Sequence, residues 1–136
     1  MGLEFEVSDV IPAPPGTVYA AWLDSGEHSR MTGSSATVSG EVGGEFEAWD
    51  GYIQGKNLEL QPPGRIVQLW RTSEFADSEV DSLLEVRFEP EGEGTRVTIR
   101  HTRLPEHGLQ YRQGWQDSYF TPMKSHFGSR ARRPAP

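Results

Sequence analysis

The 136-residue chain contains no cysteine. That single absence excludes disulfides, zinc–thiolate sites, cysteine nucleophiles and iron–sulfur clusters together. Lysine is scarce too: of 13 basic residues only Lys56 and Lys124 are lysine. Against 20 acidic residues this leaves a net charge of −7. General binding to nucleic acid or to an anionic membrane rests on a positive field, so neither partner is expected. No apolar run approaches the roughly 20 residues needed to cross a bilayer. The N-terminus, Met1-Gly2-Leu3-Glu4-Phe5-Glu6, lacks the basic segment and apolar core of a secretion signal. The expectation is a cytoplasmic protein.

Familiar catalytic signatures are missing as well. Gly43-Gly44 is followed by neither Lys-Ser/Thr nor the dinucleotide spacing, and no Gly-x-Ser-x-Gly elbow occurs. His28, His101, His107 and His126 are scattered, and none pairs at i, i+4 with a second ligand. No metal and no cofactor is expected.

What remains is a pattern of periods. Leu3, Phe5 and Val7 alternate with polar residues, the signature of a half-buried strand. Pro12, Pro14, Pro15 and Gly16 end it. Val18, Ala21 and Trp22 share a helical face, and Asp24 or Ser25 offers a cap for a second short helix. Candidate strands follow at 36–40, 45–49, 52–60, 65–73, 82–90 and 95–103. Asp50-Gly51 is a strong hairpin signal, and Pro62-Pro63-Gly64 and Gly92-Glu93-Gly94 supply two more turns. Short turns between successive strands make an antiparallel meander. Trp115, Tyr119, Met123 and Phe127 are spaced by four, which places one apolar stripe on a long helix over about 106–127. Pro122 lies inside it and predicts a kink or an early end. The terminal segment 130–136, with Arg130, Arg132 and Arg133, reads as a disordered basic tail.

The two central strands are informative. If their turn pairs Leu60 with Ile66, then Leu58, Leu60, Ile66, Gln68 and Trp70 share one face. Ile53, Glu59, Val67, Leu69 and Arg71 share the other. Both faces are mixed, whereas a face that merely packs on a helix should be cleanly apolar. Such mixing suits a lined cavity. Trp22, Trp49, Trp70 and Trp115 suit either a cavity wall or a solid core. His101 shares parity with Val97 and Ile99, which makes it either a hydrogen-bonded core histidine or a cavity acid/base. Gly114 beside Trp115 reads as a close approach of helix to sheet. Residues 74–93 carry eight acidic side chains and one basic, which fits a solvated edge or a docking surface for a basic partner.

Several of these stretches resemble a known family. Arg112-Gln113-Gly114-Trp115-Gln116, then Tyr119-Phe120 and Phe127-Gly128, is similar to the C-terminal helix of the activator of heat-shock-protein-90 ATPase. Asp50-Gly51-Tyr52-Ile53-Gln54-Gly55, Leu60-x-Pro62, Ile66-Val67 and Trp70-Arg71 resemble the central hairpin of the same domain. Gly43-Gly44-Glu45-Phe46 and Pro15-x-x-Val18-Tyr19 also fit. The resemblance covers residues 3–129 and is to the second of the co-chaperone's two domains. It implies one domain over 1–129 with the α+β helix-grip fold of the START-like (SRPBCC) superfamily. There a curved antiparallel sheet wraps a long C-terminal helix, and two short helices follow strand 1.

Three functions follow as expectations. The first is a small apolar ligand in a closed cavity of about 300 Å3 or more between sheet and helix. Phe46, Trp70, Leu84, Phe88, His101, Trp115, Tyr119 and Met123 would line it, with Glu59 or Arg71 as polar anchor. The second is a co-chaperone that binds heat-shock protein 90 through its outer surface. The third is a cyclase or dehydratase in the same cavity, with His101 nominated as acid/base and Tyr111 or Glu59 after it. A monomer or weak homodimer is expected, because no apolar seam demands a partner.

Overall fold

The computed structural model describes residues 2–132. β1 (Leu3–Ile11) is followed by α1 (Pro15–Trp22) and α2 (Ser25–Thr32). Then come β2 (Thr37–Val38), β3 (Glu45–Ala48), β4 (Ile53–Gln61), β5 (Arg65–Thr72), β6 (Ser82–Glu91) and β7 (Gly94–Leu104). They form one antiparallel sheet in the order β1-β7-β6-β5-β4-β3-β2. The helical layer across its concave face begins with a 3-10 turn (Glu106–Leu109) and α3 (Gln110–Trp115). It continues through a π-helical turn (Gln116–Phe120) into α4 (Thr121–Arg132). This is the helix-grip arrangement of sheet around helix that the sequence led us to expect.

Local chemistry explains the element ends. Pro15 occupies the first turn of α1, where a missing N–H costs nothing. The Asp24 carboxylate accepts the Glu27 N–H at 2.9 Å and caps α2, and Gly33, at φ 82°, closes it. Pro122 does not end the last helix. It has no N–H for the carbonyl four residues back. The chain widens by one residue just before it, so that the Thr121 N–H reaches the Gln116 carbonyl, and the helix then continues. The segment expected as a tail from residue 130 begins as helix to Arg132, and residues 133–136 lie outside the described residues.

The concave face carries the core. Leu84, Val86 and Phe88 of β6 and Val97, Ile99 and His101 of β7 are buried in strict alternation. Parity fails in β4. Leu60 pairs with Ile66, as the turn requires, but a bulge between Asn57 and Glu59 exchanges the faces. Ile53, Gly55 and Asn57 therefore lie on the covered face with Trp70 and Gln68, and Leu58 is exposed. Two polar residues on this covered face satisfy each other: Gln68 donates to Asn57 Oδ1 at 2.8 Å, and Asn57 Nδ2 donates to the Ser39 and Glu41 carbonyls.

Candidate functional site

Where the β3–β4 hairpin approaches α3 and the π-helical turn, side chains do not fill the space. A cleft of about 330 Å3 remains. Its sheet side is formed by Trp49, Tyr52, Ile53 and Trp70. Its helix side is formed by Gln110, Tyr111, Gly114, Trp115, Ser118 and Tyr119. The cleft is partly open to solvent, in contrast to the closed cavity expected.

The hairpin is held in an unusual conformation. Asp50 (φ 56°) and Gly51 (φ 87°) make the left-handed turn that the Asp-Gly pair favours. Trp49 is left-handed too, at φ 56°, which is uncommon for a bulky residue. The indole it places on the cleft keeps a buried Nε1–H with no hydrogen-bond partner among the described residues. Behind it, Tyr52 donates to the Glu74 carboxylate, and the Tyr111 hydroxyl lies 2.6 Å from Thr72 Oγ1.

Among the described residues, no side chain that is charged at neutral pH lines the cleft. Burial pushes the phenols of Tyr52, Tyr111 and Tyr119 above the usual tyrosine range, so all three stay neutral. Tyr119 is oriented by His28. The His28 Nδ1–H donates to the Trp22 carbonyl at 2.8 Å, which leaves Nε2 to accept the Tyr119 O–H, also at 2.8 Å. The rings of this wall pack on one another and on Trp22: the pairs Trp70–Trp115, Trp115–Tyr119 and Tyr119–Trp22 are tilted and Trp22–Trp115 is stacked, with centroids 4.8 to 6.2 Å apart. Each such pair contributes about 0.5–1.5 kcal/mol beyond area burial.

Of the eight side chains expected to line a cavity, Trp70, Trp115 and Tyr119 do so. Leu84, Phe88 and Met123 are buried in solid core, because the aromatic side chains close over them. Phe46 lies across Gly55, where even an added Cβ would come within 2.5 Å of its ring. His101 is fully buried, and its protons are spoken for. It accepts from Trp115 Nε1 at 3.1 Å and donates from Nε2 to Ser82 Oγ at 2.8 Å, and that hydroxyl donates to the Trp70 carbonyl. Burial pushes its pKa down to about 3. A neutral, enclosed imidazole with both nitrogens occupied cannot exchange protons with a substrate, so the acid/base nomination fails. The two anchors fail for a different reason. The bulge and the strand alternation put Glu59 and Arg71 on the convex face, where Glu59 pairs with Arg65 and Arg71 with Asp81.

The residues that sequence reasoning missed are Tyr52, Ile53, Gln110, Gly114 and Ser118. The spacing of four at 110, 114 and 118, one position before the aromatic stripe at 111, 115 and 119, was a readable signal. Gly114 does not mark a close approach, since an added Cβ would meet nothing within 4 Å. It faces the cleft.

Comparison with known proteins agrees with this architecture. The profile described as "Activator of Hsp90 ATPase homolog 1-like protein" matches residues 12–128. The chain belongs to this family. Within the family, a Dictyostelium discoideum activator of 90 kDa heat shock protein ATPase homolog is 30% identical over 115 residues. That alignment spans 83% of this chain and 30% of the relative. The human homolog 1 is 28% identical over 119 residues, or 87% of this chain and 35% of the relative. The chain thus spans about a third of the length of the curated relatives it matches. Among solved structures, an HSP90 activator from Plasmodium falciparum superposes with a TM-score of 0.82 at 24% identity, covering 93% of this chain and 96% of that one. CalU16 from Micromonospora echinospora gives 0.75 at 23%, covering 94% and 78%. At these identities the two structures establish the fold.

Proposed function

We propose that this activator-family domain binds a small, predominantly apolar molecule in the cleft between the β3–β4 hairpin and the C-terminal helix. The observation that carries the reading is the space itself. A cleft of about 330 Å3, partly open to solvent and lined mainly by aromatic side chains, falls within the volume range of small-molecule sites. The left-handed Trp49 supports it, because backbone strain of this kind clusters where a side chain must be aimed. Affinity would come from burial at roughly 25 cal/mol per Å2 of apolar surface. Native mass spectrometry of the protein as purified, set against the denatured sample, tests the reading. Mass that leaves on denaturation supports it. A bare mass, together with unchanged tryptophan emission across a series of apolar probes, rejects it.

A second reading is favoured by the relatives, whose names describe activators of a 90 kDa heat shock protein ATPase. On this reading the outer surface acts, with Arg112 and Gln113 exposed on α3 and the acidic loop 73–81 set against that helix through Phe75 and Tyr111. Titration of the chain into that chaperone while its ATPase rate is followed, at low and high salt, tests it. No binding and no change in rate would reject it.

A further inference from the structure

We infer that Tyr119 and His28 form a redox-active pair, in which one-electron oxidation of the tryptophan wall comes to rest as a neutral tyrosyl radical with its proton held on His28. The inference does not depend on what the cleft binds. It rests on two observations, the continuity of the rings and the hydrogen bond at their end.

Trp70 and Trp115 line the cleft, with ring centroids 5.7 Å apart. Trp115 lies 4.8 Å from Tyr119, and Trp22 completes the group at 5.1 Å from Tyr119 and 6.2 Å from Trp115. Rings this close exchange electrons readily, so a hole made at one tryptophan is shared among them. All four side chains are at most 3% exposed, which shields a radical from coupling with another one. Tyr119 supplies the place where the hole settles. A phenol that loses an electron becomes a strong acid, and it is oxidised easily only where a base can take its proton. Nε2 of His28 is that base, 2.8 Å from the Tyr119 oxygen.

The other three tyrosines lack one half of this arrangement. Tyr111 packs on Trp70 at 4.9 Å, but its hydroxyl faces Thr72 Oγ1, which is no base. Tyr52 donates to the Glu74 carboxylate, but its ring meets no other ring among the described residues. Tyr19 packs on Phe88, and its hydroxyl has no partner among the described residues. The oxidant class is an oxygen-centred radical such as a peroxyl radical arriving at the cleft. It takes one electron from Trp70 and one proton from water and becomes a hydroperoxide. Trp70 is refilled by Trp115, and Trp115 by Tyr119. The Tyr119 O–H bond breaks, its electron going to Trp115 and its proton to His28 Nε2. The His28 Nδ1–H still donates to the Trp22 carbonyl, which favours the charged ring. Burial opposes that charge, so the proton returns to Tyr119 when a one-electron reductant such as ascorbate restores the electron.

The test is laser-flash oxidation of the full chain by tris(bipyridine)ruthenium with a cobalt(III) ammine quencher. Transient absorption follows the radicals, and electron paramagnetic resonance of freeze-trapped samples identifies them. A tryptophan radical is expected to decay into a tyrosyl radical, severalfold more slowly in deuterium oxide because a proton moves with the electron. Tyr119→Phe should remove the tyrosyl signal and prolong the tryptophan radical severalfold. His28→Gln should slow the appearance of the tyrosyl signal severalfold. Tyr52→Phe, which removes an exposed phenol, should leave the signal unchanged. Circular dichroism checks that each variant is folded, and Tyr119→Phe with the isotope effect carries the test if His28→Gln is not. A tyrosyl signal that survives Tyr119→Phe, or that is lost in Tyr52→Phe, would overturn the assignment. So would a tryptophan radical that persists in the unaltered chain, or a decay that deuterium oxide leaves unchanged.

Discussion

Trp115 Nε1 donates to His101 Nδ1 across 3.1 Å, and this contact joins the C-terminal helix to the floor of the sheet. An indole N–H can only donate, so Nδ1 of His101 must accept and Nε2 must carry the proton. The relay then runs on through Ser82 to the Trp70 carbonyl with each hydrogen assigned. Buried polar chains of this kind specify a unique packing when they are complete, and they are costly when broken. Replacement of His101 by leucine leaves the Trp115 N–H and the Ser82 hydroxyl facing an apolar group. The expected loss is about 2–4 kcal/mol, measured as a shift in the urea midpoint. Ser82→Ala removes two bonds, the one to the Trp70 carbonyl and the one from His101 Nε2–H, and leaves that buried N–H unpaired, so a loss of similar size is expected.

The two buried imidazoles set an acid limit on stability. Burial lowers the pKa of both His28 and His101, the latter to about 3. A lowered histidine pKa means that the unfolded chain takes up protons first as pH falls. Stability is therefore full above the unfolded value near 6.5 and declines below it, down to the folded value. The slope approaches about 1.4 kcal/mol per pH unit for each histidine. Asp9 and Glu85, held below the usual carboxylate range by Lys124 and by Arg65 with Arg87, add to the loss only at lower pH. Urea denaturation at pH 7.5, 6.0 and 5.0 checks this. A stability that is level from 7.5 to 5.0 would mean that the folded rings accept protons.

Gly114→Ala should stabilise the protein. The added methyl meets nothing, and the helix interior gains about 1 kcal/mol of propensity. A rise in the thermal midpoint is the expected outcome, and a fall would show that the methyl encounters a neighbour after all.

Gly55→Ala should do the reverse. A Cβ at Gly55 would lie 2.0 Å from the Leu69 carbonyl oxygen and 2.5 Å from the Phe46 ring. Neither backbone nor a buried ring yields cheaply, and overpacking of this kind costs about 1–3 kcal/mol. Chemical denaturation of the variant measures it. Wild-type stability would mean that Phe46 swings aside freely.

The local signals in the chain were sufficient for the elements. Alternation placed the strands within a few residues, Asp-Gly marked the hairpin, and spacing of four marked the last helix. They were sufficient because each depends on neighbours in sequence: a turn residue, a period, a cap. The resemblance carried by Arg112-Gln113-Gly114-Trp115 and its companions reached the family, and with it the curvature of the sheet around the helix. What these signals could not carry was anything that depends on register between distant strands. One extra residue at Asn57–Glu59 moved Ile53 inward, and alternation put Glu59 and Arg71 outward. Only the assembled fold decided that Leu84, Phe88 and Met123 are core, that His101 is locked between Ser82 and Trp115, and that Gly114 faces an opening. The reason is physical. A period along the chain says which side chains point the same way, but whether they meet other atoms or empty space is decided by side chains dozens of residues away.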